Sequence, residues 1–348
     1  MRHLFTILCL ILLAVIPASA QIKTPDSSSF CVSVWYPSAD HPGGYDTLIG
    51  NLDVIDAVNP FWYTPYPDGS IQPTEGAENE EQLAEWREAG IPVIPSIFAS
   101  IPDIVIDTDL RAAHIAAIVD LVERMDYDGI DIDYEGFGIP ARDAFSEFIE
   151  ELSEALHANG RLLTVAVHPK TDDAGTWEGA ASQDWSRIAP AVDVFAIMTY
   201  DYGGRNGQPQ PIGPTAWTIE VLDYAKTFID LSKVRMGLHF YGYTWPRGNP
   251  PATTINWEGV QRYINSLKPE VMRDPADMEA YLDFKPAGLP RQVIYFADAT
   301  FVRFKMEQVL AAHPDLGGVA IWGLGGEDPD NWGVLDELRP FLCGSKNE

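Results

Sequence analysis

Basic residues are scarce in this sequence, and their scarcity excludes several classes of partner. The 348 residues include 23 lysines and arginines against 51 aspartates and glutamates, which gives a formal net charge of −28. Nucleic acids and anionic membranes bind basic surfaces, because their phosphates attract and retain lysine and arginine. We therefore expect no nucleic-acid partner and no tight binding to anionic membranes or strongly acidic polymers. A neutral ligand meets no such electrostatic barrier.

Long apolar runs are also rare, and the one that stands out extends from Leu4 to Ile16. It follows the charged start Met1-Arg-His3 and precedes Pro17 and the small-x-small pattern Ala18-Ser-Ala20. This combination is typical of a secretory signal peptide, whereas a membrane span needs about 20 apolar residues. We predict that residues 1–20 are a signal peptide and that the mature protein is secreted, to the extracellular space or the periplasm, without a membrane anchor.

Strand-like apolar runs alternate with helix-like periodic segments through the rest of the chain. Eight runs rich in Val, Ile and aromatic residues predict strands, at Phe30–Tyr36, Val54–Trp62, Pro92–Phe98, Gly129–Tyr134, Leu162–His168, Val192–Thr199, Val234–Phe240 and Gly318–Trp322. Apolar residues at three- and four-residue spacing predict helices between them, as in Leu110–Met125, Asp143–Ala158, Thr218–Leu231 and Phe301–His313. The alternation favours an α/β fold, a (β/α)8 TIM barrel, with a doubly wound sheet as the alternative.

The stretch from Thr244 to Val293 fits this alternation poorly. It is rich in Pro, Gly and charge, with a helical pattern near Trp257–Leu267 and strand-like pieces near Tyr281–Phe284 and Val293–Phe296. We predict a small insertion, at about residues 245–293, between the seventh and eighth strands of a single barrel domain that spans residues 21–348. Loops at that end of a barrel lie over its active face, so the insertion is expected to wall a ligand groove.

Cysteine is nearly absent, with three residues in all. Cys9 lies in the predicted signal peptide, which leaves Cys31 at the start of the first strand and Cys343 at the end of the last helix. These two points are neighbours at the bottom of a closed barrel. Two cysteines in an exported protein favour one disulfide between them, with two free buried thiols as the alternative.

The segment Asp128-Gly-Ile-Asp-Ile-Asp-Tyr-Glu135 carries the clearest functional signal. Because strand side chains alternate between faces, Asp131, Asp133 and Glu135 share one face and the apolar residues between them share the other. Desolvation and mutual repulsion oppose three ionised acids on a core strand, so the row points to chemistry. Crowding is expected to raise the pKa of at least one carboxyl toward neutrality, as a general acid requires. Asp128 is out of phase and is interpreted as structural support.

Two other interpretations of the acidic row agree less well with the sequence. A solvated strand edge conflicts with the flanking isoleucines and the central position of the strand. A calcium site of the EF-hand type requires ligands in a glycine-turned loop rather than along a strand.

The acidic segment matches in full the signature D-G-x-D-x-D-x-E of glycoside hydrolase family 18, the chitinases and their relatives, and the sequence resembles that family. Three further stretches agree in order and spacing, namely Met198-Thr-Tyr-Asp-Tyr202, Gly237-Leu-His-Phe-Tyr-Gly242 and Gly317-Gly-Val-Ala-Ile-Trp322. The third strand departs from the pattern, since Ile94-Pro-Ser-Ile-Phe-Ala99 lacks the glycine pair of S-x-G-G. Features of the eighth-strand region resemble more closely the branch of spore-cortex and cell-wall N-acetylglucosaminidases and chitobiase-like enzymes.

The resemblance implies retaining, substrate-assisted hydrolysis of β-linked N-acetylglucosamine glycans. It implies that Glu135 is the general acid and base, that Asp133 orients the substrate acetamido group with Asp131 sharing its proton, and that Tyr200 donates to the acetamido oxygen. Substrate contacts are expected from Asp201, Met198, Trp322, Tyr36 and Tyr241. Aromatic residues at strand ends are candidate sugar platforms or ordinary packing, namely Trp35, Tyr36, Trp62, Tyr63 and Trp245.

Several alternatives remain open at the level of sequence. A non-catalytic, lectin-like protein on the same fold is the competing function, and the intact acid at Glu135 favours the enzyme. The glycan could be a chitin oligosaccharide, peptidoglycan or the core of an N-glycan. We expect neither a cofactor nor a metal, and we expect a monomer.

Overall fold

A computed structural model describes residues 26–37, 43–288 and 290–342. The strands in chain order are β1 Val32–Tyr36, β2 Ala57–Pro65, β3 Ile71–Pro73, β4 Ser96–Ala99, β5 Gly129–Tyr134, β6 Leu162–Val167, β7 Val194–Ile197, β8 Val234–His239, β9 Gly242–Pro246, β10 Thr253–Ile255, β11 Met272–Arg273, β12 Ala280–Phe284, β13 Gln292–Phe296 and β14 Gly318–Trp322.

The α-helices are α1 Gly44–Gly50, α2 Glu80–Glu88, α3 Pro102–Ile106, α4 Thr108–Met125, α5 Arg142–His157, α6 Glu178–Ala181, α7 Trp185–Ala191, α8 Thr215–Ala225, α9 Trp257–Leu267, α10 Ala299–Ala312 and α11 Asp330–Leu342. Short 3-10 turns lie at Ser27–Ser29, Ile139–Ala141 and Leu231–Lys233. No helix in the described ranges is long and apolar enough to cross a membrane.

Eight parallel strands close into a barrel, in the order β1, β2, β4, β5, β6, β7, β8 and β14. β1 pairs with both β2 and β14, so the ring of eight parallel strands has no free edge. The (β/α)8 barrel predicted from the sequence is confirmed, and the doubly wound sheet is excluded. β3 extends the sheet as an antiparallel hairpin partner of β2.

Side chains along β5 alternate between the barrel interior and the layer between strands and helices. Ile130, Ile132 and Tyr134 point outward and are fully buried in the layer between strands and helices, whereas Asp131 and Asp133 point inward. Parallel strands covered by helices bury both faces, so the outward residues are apolar. The lower interior is filled by a separate apolar cluster of Phe30, Ala57, Ile94, Leu162 and Val194. The polar inward residues therefore lie above it, toward the carboxyl ends of the strands.

Two glycines permit close approach of backbones around this interior. A Cβ at Gly129 would lie 2.3 Å from the carbonyl oxygen of Leu162, on the adjacent strand β6. A Cβ at Gly237 would lie 2.7 Å from the carbonyl oxygen of Ile197 and 2.8 Å from the ring of Tyr200. Any larger residue would push these neighbours away. Glycine at these two positions therefore allows β5 to lie close to β6, and β8 to lie close to the end of β7.

The insertion between β8 and β14 contains a second, antiparallel sheet in the order β10, β9, β13, β12, β11. It extends from Gly242 to Phe296, somewhat wider than predicted, because β9 begins only three residues after the last residue of β8. Its own apolar core includes Val260, Leu282 and Ile294. The buried Glu279, before β12, accepts hydrogen bonds from the backbone N–H groups of Ile212 and Gly213. The insertion thus holds the loop that follows β7.

Strand boundaries differ from the predicted ones at β2 and β4. β2 begins at Ala57, since the buried Val54 and Ile55 belong to the turn after α1. β4 is reduced to Ser96–Ala99, with a single bridge from Val93 to Val58 before it. Pro92 and Pro95 lack the N–H that a continuous ladder requires.

The predicted disulfide can be followed only in part. Cys31 is disulfide-bonded and lies, fully buried, immediately before β1. Its predicted partner Cys343 and the predicted signal peptide lie outside the described residues, so the pairing of Cys31 with Cys343 stays a prediction.

Candidate active site

A cavity of about 700 Å³ opens at the carboxyl ends of the barrel strands. Its floor and walls include Asp133 and Glu135 from β5 and its end, and Met198, Tyr200 and Asp201 from the segment after β7. In a barrel of this kind the carboxyl ends of the strands and the loops after them form the ligand-binding face. Most of the residues predicted from the motif are therefore brought together in one place.

Asp131 is the deepest of the three carboxylates and is fully hydrogen-bonded. The strand register places Ser96 of β4 and Thr164 of β6 on either side of it. Both hydroxyls donate to its carboxylate, and Trp35 Nε1 donates to Oδ2 at 3.1 Å. Burial raises the pKa of Asp131, and the three donors partly offset that rise. The side chain does not line the cavity and supports Asp133 from below.

Asp133 lies one step higher and has no equivalent support. The register places Phe98 of β4 beside it, and continuing the β5–β6 register by one residue places Ala166 on the other side. Neither side chain can donate a hydrogen bond, and Asp133 Oδ1 is buried without a partner among the described residues. Burial, followed by the charges of Glu135 and Asp131, raises the pKa of Asp133 well above its usual value. An unpaired buried oxygen of this kind requires an explanation.

Glu135 stands at the top of the row, where its side chain is 32% exposed to the cavity. Burial raises its pKa to about 7, and the charge of Asp201 adds to the effect. A carboxyl group with a pKa near neutrality can both donate and accept a proton at neutral pH. The pKa values of all three acids are thus raised, as their crowding predicts. The side chains become more exposed along the strand face, from Asp131 at the bottom to Glu135 at the top.

The segment after β7 brings a phenol and a fourth carboxylate to the same cavity. Tyr200 is 8% exposed, and burial followed by the charge of Asp133 raises the pKa of its hydroxyl. The hydroxyl is therefore a hydrogen-bond donor at any physiological pH. Asp201 adopts a left-handed backbone conformation with φ of 56°. Its Oδ1 accepts a 2.6 Å hydrogen bond from Tyr241 Oη.

Aromatic residues flank the carboxylates on both sides of β5. On the side of β4 and β2, Phe61 lies 6.1 Å from Phe98 and 5.1 Å from Trp322, measured between ring centroids. On the side of β6 and β7, Trp177 lies in the loop after β6, and Tyr202 packs 5.0 Å from Trp217. Phe98, Trp177 and Tyr202 are each about half exposed. We call these two groups the β4-side wall, Trp322, Phe61 and Phe98, and the β6-side wall, Trp177, Tyr202 and Trp217.

Three of the predicted site residues do not line the cavity. Asp131 and Tyr241 lie behind residues that do, and they bear on the site through hydrogen bonds. Tyr36 is placed outside the barrel, so its predicted contact with substrate is not supported. Its ring packs 5.5 Å from Trp86, and its hydroxyl accepts a hydrogen bond from Gln82. Both partners belong to α2, so the side chain is part of the layer between strand and helix.

Of the other aromatic residues predicted as sugar platforms, one lines the cavity and three do not. Trp35 lines the cavity. Trp62 stacks on Trp86 in the outer core, Tyr63 is hydrogen-bonded to Tyr127, and Trp245 donates from Nε1 to the Gly207 carbonyl. These three belong to packing. Asp128, interpreted as support, accepts a 2.8 Å hydrogen bond from the backbone N–H of Val93.

Sequence reasoning missed several residues that shape the site. Ser96 and Thr164 hold Asp131, and the walls include Phe61, Phe98 and Trp177. His168 lies with Nε2 3.4 Å from Glu135 Oε2. The signal for His168 was present, since it is the one titratable residue in the run Leu162–His168 and follows Thr164 at an even spacing. The walls gave no comparable signal, because aromatic residues are common in barrel cores.

No group of three or more His, Cys, Asp or Glu side chains in residues 26–37, 43–288 and 290–342 has the arrangement of a metal site. The cavity presents carboxylates, a phenol, an imidazole, a lysine and aromatic faces. A closed (β/α)8 barrel with such a row of acids at its active face defines an enzyme with an acid–base centre.

The chain belongs to glycosyl hydrolases family 18, whose sequence profile matches residues 68–327. The resemblance inferred from the signature is thus confirmed. A cortical fragment-lytic enzyme from Bacillus anthracis is 26% identical over 304 residues, which cover 82% of this chain and 70% of that protein.

Solved structures share the fold. A chitinase from Chromobacterium violaceum ATCC 12472 superposes with a TM-score of 0.82 at 23% identity, covering 88% of this chain and 98% of that one. The spore cortex-lytic enzyme SleL from Bacillus cereus superposes with a TM-score of 0.78 at 22% identity, covering 88% and 74%.

Proposed function

We propose that this glycosidase hydrolyses β-linked N-acetylglucosamine glycans with retention, using the substrate's own acetamido group as the nucleophile. The observation that carries the proposal is the unpaired Oδ1 of Asp133, buried directly beneath Glu135. An acetamido N–H is a donor of the kind that this oxygen lacks. The cortical fragment-lytic enzyme among the relatives, and the spore cortex-lytic enzyme and chitinase that share the fold, support the same class of glycan.

The reaction begins with Glu135 protonated, as its pKa of about 7 allows. Glu135 gives its proton to the glycosidic oxygen while the acetamido carbonyl oxygen attacks the anomeric carbon, so that the bond to the leaving sugar breaks and an oxazolinium ion forms. Asp133 accepts a hydrogen bond from the acetamido N–H, and its carboxylate form balances the positive charge while Asp131 holds the proton that the two carboxyl groups share. Tyr200 donates to the acetamido oxygen. Glu135, now a carboxylate, takes a proton from the water that opens the ring, which restores the acid and retains the configuration.

The two aromatic walls favour an oligosaccharide that occupies both sides of the cleavage point. Sugar rings present C–H faces that pack on aromatic rings, and each wall exposes at least one ring to the cavity. The carboxylates of Asp133, Glu135 and Asp201 line the same space. They disfavour sugars that carry carboxylates of their own, so neutral chitin oligosaccharides fit better than anionic wall polymers.

The test compares the wild-type protein with Glu135→Gln on chitin oligosaccharides and on purified peptidoglycan, with the anomeric form of the first product followed by NMR. We expect retention, and a loss of activity on the order of 10² to 10⁴-fold in the variant. Glu88→Gln, an exposed change of the same type on α2, should be fully active. The lectin-like alternative predicts that wild type and Glu135→Gln bind glycan equally and that neither cleaves it.

We also propose that the protein is exported and that residues 1–20 are removed. The charged start, the apolar run and the Ala18-Ser-Ala20 pattern support this proposal. Mass spectrometry of the protein purified from an export-competent host should give a mature amino terminus at Gln21. A product that retains Met1 and stays inside the cell would contradict it.

A further inference from the structure

His168 occupies a position from which it can act on Glu135. Thr164, Ala166 and His168 follow one another on the inward face of β6 and its end, and Thr164 is already bonded to Asp131. Continuing the β5–β6 register beyond the paired residues places His168 beside Glu135. The side-chain contact agrees with this placement, since His168 Nε2 lies 3.4 Å from Glu135 Oε2.

The imidazole is firmly held but has an unused polar atom. His168 is 7% exposed, and its Nε2 has no hydrogen-bond partner among the described residues. Its backbone N–H donates to Gln183 Oε1 at 2.7 Å, and Trp177 packs against the ring in a T-shaped contact at 4.6 Å. A buried polar nitrogen fixed in this way and directed at a carboxyl group carries a cost unless it is used.

The groups around Glu135 explain why such a donor matters. The charge of Asp201 opposes the negative form of Glu135, and the charge of Glu135 in turn opposes ionisation of Asp133. In the described part of the chain, His168 is the basic side chain within ion-pair range of Glu135. Lys170 also borders the cavity, but its Nζ donates to the Gln183 carbonyl and lies near Asp173.

We propose that His168 is a positioning residue for Glu135, in which the Nε2–H of a neutral imidazole donates a hydrogen bond to Oε2 of the carboxylate formed after proton transfer. This inference rests on the proposed function. The proton that Glu135 loses goes to the glycosidic oxygen, and the one it regains comes from water, while His168 keeps its own proton throughout. With Oε2 held by His168, Oε1 is left for the reacting sugar and the water.

A neutral donor suits this task better than a cation. Burial lowers the pKa of His168 to about 4, so the ring is uncharged near neutral pH and carries one donor and one acceptor nitrogen. A cation at 3.4 Å would favour the carboxylate strongly and reduce the acid form that the first step needs. The contact is long and out of line in the unliganded site, as is common before substrate tightens catalytic hydrogen bonds.

Three substitutions separate hydrogen bonding from packing. His168→Phe keeps an aromatic ring against Trp177 but removes the donor, His168→Gln can place an amide N–H near the position of Nε2, and His168→Asn is too short to do so. For His168→Phe we expect kcat to fall roughly 10- to 100-fold, the range for a lost hydrogen bond to a charged group, with KM nearly unchanged. The alkaline limb of kcat/KM should move to higher pH, because the carboxylate loses a stabilising donor.

His168→Gln should recover most of kcat and the wild-type limb, whereas His168→Asn should behave like His168→Phe. Equal losses in all three variants would indicate a packing role and overturn the proposal. So would a His168→Phe enzyme with the kcat and pH limb of the wild type.

A measurement independent of activity separates this inference from the proposed function. In ¹⁵N-histidine NMR of the full protein, which has seven histidines, the Nε2 signal of His168 should show an inflection near pH 7 as Glu135 ionises. The inflection should vanish in Glu135→Gln. Its absence from an active wild-type enzyme would overturn the role of His168, whereas its presence in a protein inert on every glycan would refute the proposed function and leave the contact standing.

Discussion

Tyr241 donates a 2.6 Å hydrogen bond from its hydroxyl to Asp201 Oδ1. Tyr241 stands between the barrel strand β8 and the insertion strand β9, and Asp201 follows β7 with its backbone in the left-handed region. A non-glycine residue in that region is held there by its surroundings. The base of the insertion therefore sets the position of a carboxylate that lines the cavity.

Removing this hydroxyl should weaken catalysis without unfolding the protein. In Tyr241→Phe the ring remains in the core, but Asp201 loses a donor that is worth roughly 1.5–3 kcal/mol when the acceptor is charged. We expect kcat/KM on chitin oligosaccharides to fall roughly 10- to 100-fold. Tyr281→Phe, in the same insertion and stacked on Tyr295, is the matched control. Equal kinetics for the two variants would refute a role for the Tyr241 hydrogen bond.

Neutralising Asp201 should shift the pH dependence of the enzyme. Burial is the main cause of the raised pKa of Glu135, and the charge of Asp201 is the second. In Asp201→Asn that charge is removed, so the pKa of Glu135 falls and the alkaline limb of kcat/KM moves to lower pH. The measured quantity is the pH at which kcat/KM falls on the alkaline side, not the maximum value of kcat/KM. Asp120→Asn, an equal change of charge at an exposed site on α4, should leave the limb in place.

Glu135 should destabilise the fold at alkaline pH. The pKa of Glu135 is raised from 4.5 to about 7, so its contribution is most favourable below pH 4.5 and is lost as the pH rises through about 7. The loss corresponds to roughly 3 kcal/mol. In denaturant unfolding, Glu135→Gln should match the wild type near pH 4 and exceed its stability by about that amount at pH 8. For Glu88→Gln, the difference from wild type should not change with pH in this way.

The two aromatic walls should contribute to binding in proportion to substrate length. Phe98→Ala and Trp177→Ala each remove a half-exposed ring from the cavity. We expect each variant to raise KM for long chitin oligosaccharides by roughly 10-fold, within the range for losing one buried apolar contact. For a disaccharide, at most one of the two variants should raise KM, because so short a substrate contacts at most one wall. Phe341→Ala, which removes an exposed ring on α11, is the control. If all three variants keep the wild-type KM for long substrates, the walls do not bind sugar.

Much of the architecture could be predicted from local patterns. Period-two alternation identified β5 and the shared face of its acids, and helical periodicity identified α4, α5 and α10 to within a few residues. The D-G-x-D-x-D-x-E signature alone was enough to identify the family. Short helices such as α6, and the true start of β2, were not predicted, because the buried Val54 and Ile55 have strand-like character and only the turn after α1 removes them from the sheet.

The sequence by itself favoured a barrel and determined that the three carboxylates share one strand face, because that face depends only on side-chain periodicity within one strand. Only the tertiary structure decided which residues lie beside them. Strand register sets Ser96 and Thr164 against Asp131 and leaves Asp133 without a donor, and it brings His168 to Glu135. The same contacts separate Tyr36, packed under α2, from Trp35, which faces the cavity. Neighbouring residues on a strand point to opposite faces, and which face meets the ligand depends on the strands and helices around it.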